Sequence, residues 1–126
     1  IWYGATKVDS LAGMWDCDQN FIDSLNSVVA LNRKNNIKVA APLLSYNKAD
    51  IVRVGTSLGI NWENTWTCYS DRSDGLADAT TPSSSLRING FIEAGFIDPI
   101  QYVQQDQLDV LYEERHCVYP TNIYEL

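Results

Sequence analysis

The sequence is poor in basic residues, in histidine and in cysteine. It has 9 Lys and Arg against 16 Asp and Glu, which gives a net charge of −7, and it contains one His and three Cys. Because phosphate groups are neutralised by clustered Lys and Arg, this composition argues against a direct nucleic-acid surface. An odd number of widely spaced cysteines makes no disulfide framework and is typical of a reducing compartment.

Long apolar runs are lacking as well. No stretch approaches the roughly 20 apolar residues of a membrane-spanning helix, and the N-terminus has no signal-peptide pattern. We therefore expect a cytoplasmic protein with no membrane partner. With 126 residues and 45% hydrophobic content the chain can form one domain with a core. It begins with Ile1 rather than Met, and we expect it to start inside a longer protein.

The first third of the sequence carries strand and helix signals in alternation. Residues 1–5 and 37–44 are short apolar runs, and we expect the first of them to form a buried strand. Between them, apolar residues at helical spacing predict an amphipathic helix over about residues 20–33, after a polar loop over residues 5–19. Strand, helix, strand is the pattern of a parallel α/β sheet with covering helices.

Two further helices are marked by their ends. Asn47 is a good N-cap and Gly59 a good C-cap for one helix, and Thr81-Pro82 and Gly95 bound another. Residues 62–85 show no periodicity and are predicted to form a long loop, and residues 101–115 are weakly helical.

The predicted sheet also indicates where a ligand would bind. Ligands of open parallel sheets bind beyond the carboxyl ends of the strands, so the loops after Tyr3 and Ala40 should line one crevice. The candidate residues are Asp9, Asp16, Lys48 and the segment from Thr65 to Tyr69.

Each candidate has a second interpretation. Lys48 either faces an anion or is a solvated residue in the first turn of a helix. Asp9 either contacts a ligand or caps a helix or turn. Trp66 and Tyr69 either stack on a flat heterocycle or anchor their loop by packing.

Four collinear blocks form a more specific pattern. They are Gly4–Asp9 with Asp16-Cys17, then Ala41–Gly59 with its Lys-Ala-Asp-Ile start, then Thr-Trp-Thr-Cys-Tyr at Thr65–Tyr69, and finally Leu86–Pro99. In order and spacing they resemble the C-terminal part of the 7-cyano-7-deazaguanine synthase (QueC-like) family. The resemblance covers residues 1–99 and leaves residues 100–126 as a C-terminal extension.

The resemblance implies a Rossmann-like fold of the ATP-pyrophosphatase (HUP) type, of which this chain is the C-terminal portion. It implies ATP-dependent conversion of 7-carboxy-7-deazaguanine and ammonia to the nitrile, with Mg accompanying ATP and a small 7-deazapurine as the substrate. Lys48 would be the catalytic cation. Asp9, Asp16, Thr65, Trp66 and Tyr69 would contact the substrate. The sequence does not fix the oligomeric state, so a homodimer and a larger assembly both stay open.

The sequence departs from the family pattern in three places. The Ser-Gly-Gly-x-Asp-Ser phosphate loop does not occur in these 126 residues, so ATP binding would need a segment upstream or on another chain. Of the four zinc cysteines that the resemblance implies, Cys68 is present, whereas Asp78, Thr81 and Ser84 occupy the other positions. Hydroxyls do not compete for zinc, so we expect no zinc. Asp18 stands where the family usually has Arg.

These departures leave a second function open. The chain could be a catalytically degenerate domain of the same origin, kept as a structural or interaction component of a larger assembly.

Overall fold

The computed structural model describes residues 1–121, which form two compact units, Ile1–Asn47 and the residues from Lys48 onward. The helices are α1 (Lys7–Leu11), α2 (Gln19–Val29), α3 (Lys48–Ser57), α4 (Pro82–Ala94) and α5 (Gln105–Glu114), with short 3-10 turns at Trp15–Cys17 and Trp62–Asn64. Extended pairing within residues 1–121 consists of single parallel bridges, Trp2 with Ala40, Ala77 with Tyr102 and Phe96 with Val118. No helix in this range is long and apolar enough to cross a bilayer.

The first unit contains the predicted strand, helix, strand order in reduced form. The Tyr3 amide donates to the Ala40 carbonyl at 2.8 Å, and the Ala40 amide donates to the Ile1 carbonyl at 2.9 Å. The pairing is parallel, as predicted, but it is one bridge and not a sheet. The prediction of a buried opening strand is wrong, because Trp2 is 85% exposed. Within this unit, the opening residues pair with one extended segment, and no other residues of the unit cover the Trp2 side chain.

Helix α2 ends at Val29, earlier than predicted. Hydrogen bonds of polar side chains cap its start and connect it to Val39. The Asp18 carboxylate accepts from the Asn20 amide at 2.8 Å and caps the helix. The Asn26 side chain both donates to the Val39 carbonyl and accepts from the Val39 amide, each at 2.8 Å. This pair of hydrogen bonds ties the returning segment to α2 without a regular strand.

Helix α1 lies in a segment for which the sequence predicted a loop. Thr6 and Asp9 form a capping box at its start, and the helix extends over Lys7–Leu11. Five residues are too few to show a helical periodicity, so the cap is the one sequence signal that could have found this helix.

The helix ends of the second unit follow the sequence closely. Helix α4 begins at Pro82 after Thr81, whose side chain accepts from the Ser84 amide, and it ends before Gly95 at φ 84°. Helix α3 ends at Ser57, and Gly59 has φ 75°. A positive φ is easy for glycine and strained for other residues, which explains both stops.

The second unit contains a buried ion pair. Arg87 donates from Nε and Nη2 to the Asp98 carboxylate at 2.6 and 2.9 Å, and the two residues are 7% and 1% exposed. The Tyr102 hydroxyl donates to the same carboxylate at 2.7 Å. Tyr102 also belongs to an apolar cluster of this unit, which consists of Cys68, Ala77, Ile88, Ile100, Tyr102, Leu108 and Tyr112.

The two buried tyrosines of this cluster provide a matched test. The Tyr102 hydroxyl donates to a buried carboxylate, whereas the buried Tyr112 hydroxyl donates to no acceptor among the described residues. We expect Tyr102→Phe to lower the free energy of unfolding by about 1.5–3 kcal/mol, because a hydrogen bond to a charged group is lost. Tyr112→Phe should change it by less than about 0.5 kcal/mol. Urea denaturation of both variants checks this, and equal losses would contradict it.

Candidate functional site

The carboxylates of Asp9 and Asp16 lie in the first unit and contact neighbours there. One oxygen of Asp9 accepts from the Thr6 amide at 3.1 Å and from the Thr6 hydroxyl at 2.7 Å. Asp9 therefore acts as a cap in the structure, one of the two interpretations that the sequence left open. The Asp16 carboxylate accepts from the Tyr3 hydroxyl at 3.4 Å, so it lies beside the bridged segment.

The loops after Tyr3 and Ala40 line one depression of about 400 Å³ within this unit. Its lining residues are Ser10, Asp18, Gln19, Ala41, Leu44 and Ser45. Neither Asp9 nor Asp16 is among them. Asp18 is, and its second carboxylate oxygen accepts from the Ser10 hydroxyl at 3.3 Å. Asp18 belongs to the loop after Tyr3 that was predicted to line a crevice, although it was not among the candidate residues.

In the second unit a cavity of about 150 Å³ brings Lys48 and Thr65 together. Its other lining residues are Ile51, Val52, Trp62, Thr67, Arg87 and Phe91. Lys48 is the first residue of α3, so it stands at the end of the helix where backbone amides have no intrahelical acceptor. Trp62 and Phe91 meet edge to face, with ring centroids 5.3 Å apart, and form an apolar wall.

The aromatic residues predicted to contact substrate do not line this cavity. The Trp66 indole N–H donates to the Cys68 carbonyl at 2.8 Å, and the ring is about half exposed. Tyr69 is 91% exposed. Both rings are therefore available to solvent on the second unit, and packing accounts for little of the Tyr69 side chain.

Arg87 is the site residue that sequence reasoning missed. Its Nη1 donates to the Thr65 hydroxyl at 2.9 Å and to the Thr67 hydroxyl at 3.4 Å, so it fixes the segment that lines the cavity. Its charge is balanced by Asp98 eleven residues later, and no sequence spacing indicates that pairing. Lys48 makes no ion pair within the described part of this unit. Of the two cationic residues that line the cavity, Arg87 is thus paired with a carboxylate and Lys48 is in no ion pair within residues 1–121.

The zinc that the resemblance implies does not fit the residues present. Within residues 1–121 no three His, Cys, Asp or Glu side chains come together in a group that could bind a metal ion. Around the Cys68 sulfur lie the hydroxyls of Ser70 at 2.8 Å and Thr81 at 3.9 Å. A structural zinc site uses four Cys or His ligands, and one thiolate among hydroxyls does not provide it.

Comparison with known proteins agrees with the four sequence blocks. The family model described as "Queuosine biosynthesis protein QueC" matches residues 1–95. Among curated proteins, the 7-cyano-7-deazaguanine synthase of Clostridium kluyveri is 39% identical over 108 residues, which is 81% of this chain and 46% of that protein. The synthase of Chlorobium phaeobacteroides is 39% identical over 107 residues, 83% of this chain and 46% of that protein.

An archaeal relative shows the same coverage. The synthase of Thermoplasma volcanium is 33% identical over 106 residues, 81% of this chain and 43% of that protein. The chain thus spans about half the length of the curated relatives that it matches. No solved structure matches it. A family match over residues 1–95, together with relatives at this level of identity, places the chain in the family of the queuosine biosynthesis protein QueC.

Proposed function

We propose that this chain supplies the C-terminal part of a 7-cyano-7-deazaguanine synthase, which uses ATP to convert 7-carboxy-7-deazaguanine and ammonia to 7-cyano-7-deazaguanine. Residues 1–99 are the synthase-like part and residues 100–126 an extension. The observation that carries the proposal is the cavity that joins Lys48 and Thr65, since both belong to blocks shared with the family. In the complete protein we propose a Rossmann-like parallel sheet that extends the Trp2–Ala40 bridge.

The chemistry explains why a cation is needed. A carboxylate is a poor electrophile, and its attack on ATP gives an acyl-adenylate with release of pyrophosphate. Ammonia then displaces AMP to give the amide, and further ATP drives its dehydration to the nitrile. Negative charge develops on phosphate oxygens in each activation step, and a fixed cation stabilises that charge.

Lys48 is the residue that we assign to this role. Its position at the start of α3 adds the partial positive charge of a helix N-terminus to that of the ammonium. Because the Arg87 charge is balanced by Asp98, Lys48 provides the net positive charge of the cavity. ATP, with Mg, would be bound jointly with a phosphate-binding segment outside these 126 residues.

The remaining candidates are assigned to substrate binding. The exposed faces of Trp66 and Tyr69 suit stacking on a flat 7-deazapurine. Thr65 lies beside Lys48 in the cavity lining and is oriented by Arg87. Asp9 and Asp16 would accept hydrogen bonds from the base, Asp9 through the carboxylate oxygen that does not cap Thr6.

The test is turnover by the full-length gene product. We expect it to consume ATP and to form the nitrile from 7-carboxy-7-deazaguanine and ammonia, measured by mass spectrometry of the product. Lys48→Met should lower kcat/KM by about 10²–10³-fold, because it removes a preorganised charge and keeps the length of the side chain. Lys34→Met, at an exposed position of the first unit, is the matched control and should leave kcat/KM unchanged.

The outcomes separate the two functions considered. A wild-type protein with no ATP-dependent turnover would sink the synthase proposal and favour a degenerate domain with a structural role. Turnover that survives Lys48→Met at the wild-type rate would remove Lys48 from the mechanism and leave the synthase assignment intact.

A further inference from the structure

The positions that the resemblance assigns to four zinc cysteines do converge in this structure. The Asp78 amide lies 3.4 Å from the Cys68 sulfur, and the Thr81 hydroxyl lies 3.9 Å from it. The Thr81 hydroxyl donates to the Ser84 hydroxyl at 2.8 Å. Ser84 and Cys68 are buried, and Asp78 and Thr81 are half-buried. The four positions of the family's metal site therefore lie together, although three of them do not carry cysteine.

Hydrogen-bonding groups surround the Cys68 sulfur at the place where the resemblance implies a zinc ion. The Ser70 hydroxyl lies 2.8 Å from the Cys68 sulfur, and the Ser70 amide donates to it at 3.5 Å. The Asp78 amide also donates to the sulfur, at 3.4 Å, and the sulfur in turn lies 4.0 Å from the Asp78 carbonyl. Protein N–H, O–H and C=O groups therefore surround the sulfur at the place where the family's other ligands would lie.

The Asp78 carboxylate takes no part in this group. It accepts from the Thr80 amide at 2.9 Å and from the Thr80 hydroxyl at 2.7 Å. The Gln104 amide also donates to it, at 3.2 Å. These hydrogen bonds, above all the two from Thr80, lower the pKa of the Asp78 carboxyl group. The carboxylate is therefore bonded to Thr80 and Gln104 and not to the Cys68 sulfur.

Residues 101–104, which follow the family match, make hydrogen bonds to residues 77–79 of the loop that begins at Cys68. The Gln104 side chain donates to Asp78 and accepts from the Ala79 amide at 3.0 Å. Next to it, the Ala77 amide donates to the Gln101 carbonyl and the Val103 amide donates to the Ala77 carbonyl, each at 2.9 Å. Residues 101–104 lie beyond residue 95, where the family match ends. We call the two side-chain hydrogen bonds of Gln104 the Gln104 clamp.

We propose that the loop over residues 68–84 is closed without a metal, by the donors around Cys68 and by the Gln104 clamp. In this arrangement the extension holds the loop at Asp78 and Ala79, as a bound ion would hold it. The loop directly follows Thr65 and Thr67, which line the Lys48 cavity. The proposal does not depend on the proposed synthase activity, because it concerns how the loop is held and not what the cavity binds.

Metal content is the first test. Full-length wild type and Cys68→Ser, both purified without chelators, should contain the same amount of zinc by plasma mass spectrometry. Treatment with EDTA should leave the hydrogen exchange of residues 77–79 unchanged in the wild type. One equivalent of zinc in the wild type that Cys68→Ser lacks would overturn the proposal.

The clamp is tested by substitution of Gln104. Gln104→Ala leaves the Ala79 amide without its acceptor, so exchange at residues 77–79 should rise about tenfold or more. Gln107→Ala, at an exposed position of α5, is the matched control and should leave this exchange as in the wild type. Gln104→Glu keeps an acceptor but places a second carboxylate against Asp78, and it should act in the same direction. Unchanged exchange in both Gln104 variants would overturn the clamp.

Restoring the cysteines tests whether the four positions form one site. The triple variant Asp78→Cys, Thr81→Cys and Ser84→Cys should bind one zinc per chain, and its loop should become sensitive to EDTA. A folded triple variant that takes up no zinc would show that these positions do not make one site, and the replacement of a metal by hydrogen bonds would then be wrong.

Discussion

Asp98→Asn is expected to lower the free energy of unfolding by about 3–5 kcal/mol, because it leaves the Arg87 guanidinium charged in the core without its partner. The change is nearly isosteric, so packing is kept and charge is what is altered. Arg87 would retain its hydrogen bonds to the Thr65 and Thr67 hydroxyls, neither of which carries a charge. A loss of this size is a large part of the total stability of a small protein.

Urea denaturation of the wild type and the variant at neutral pH measures this loss. The matched control is Asp74→Asn, which alters the pair of Asp74 with Arg72, where the two side chains are 43% and 35% exposed. Because solvent screens that pair, we expect a change of at most about 1 kcal/mol. If both substitutions lowered the free energy of unfolding by the same amount, the larger contribution assigned to the buried pair would be wrong.

Local chemistry made parts of this fold predictable. Thr81, Pro82 and Gly95 define both ends of α4, since an N-cap, a fixed φ and a left-handed residue act within a few residues of chain. Lys48 was placed correctly at the start of a helix for the same reason. Features of this kind depend on neighbours in sequence and can be predicted without knowledge of the fold.

The features that the sequence did not predict depend on residues that are distant in sequence. An apolar run over residues 1–5 suggests a buried strand, but burial depends on what covers it, and Trp2 is exposed in its unit. The side chains of Arg87 and Asp98 meet through the turn after α4, which no periodicity encodes. The Gln104 clamp likewise depends on a parallel bridge between Ala77 and Tyr102.

The candidate site divides in the same way. Motif spacing predicted site roles for Lys48 and Thr65, and both residues line the cavity of the second unit. Asp9 and Asp16 belong to the other compact unit, where one of them caps a helix. Residue type alone could not decide between capping and binding for Asp9, because a carboxylate accepts the same hydrogen bonds in both roles.

Gly90→Ala is expected to disturb both stability and the proposed site. A Cβ at Gly90 would lie 2.6 Å from the Lys48 Cβ and 3.1 Å from the Lys48 backbone carbonyl carbon, so α3 and α4 would have to separate. Overpacking of this kind costs about 1–3 kcal/mol, against about 1 kcal/mol gained from the better helix propensity of alanine. Because the contact is with Lys48 itself, a shift of that residue should lower kcat/KM of the full-length protein by about 10²-fold.

Two control variants separate these effects. Gly4→Ala makes the same chemical change where a Cβ would meet nothing within 4 Å, so the free energy of unfolding should not fall. Asn89→Ala changes an exposed neighbour on α4 and should leave kcat/KM as in the wild type. A Gly90→Ala variant as stable and as active as the wild type would mean that α3 and α4 can separate without consequence. In that case the close approach at Gly90 would not be what positions Lys48.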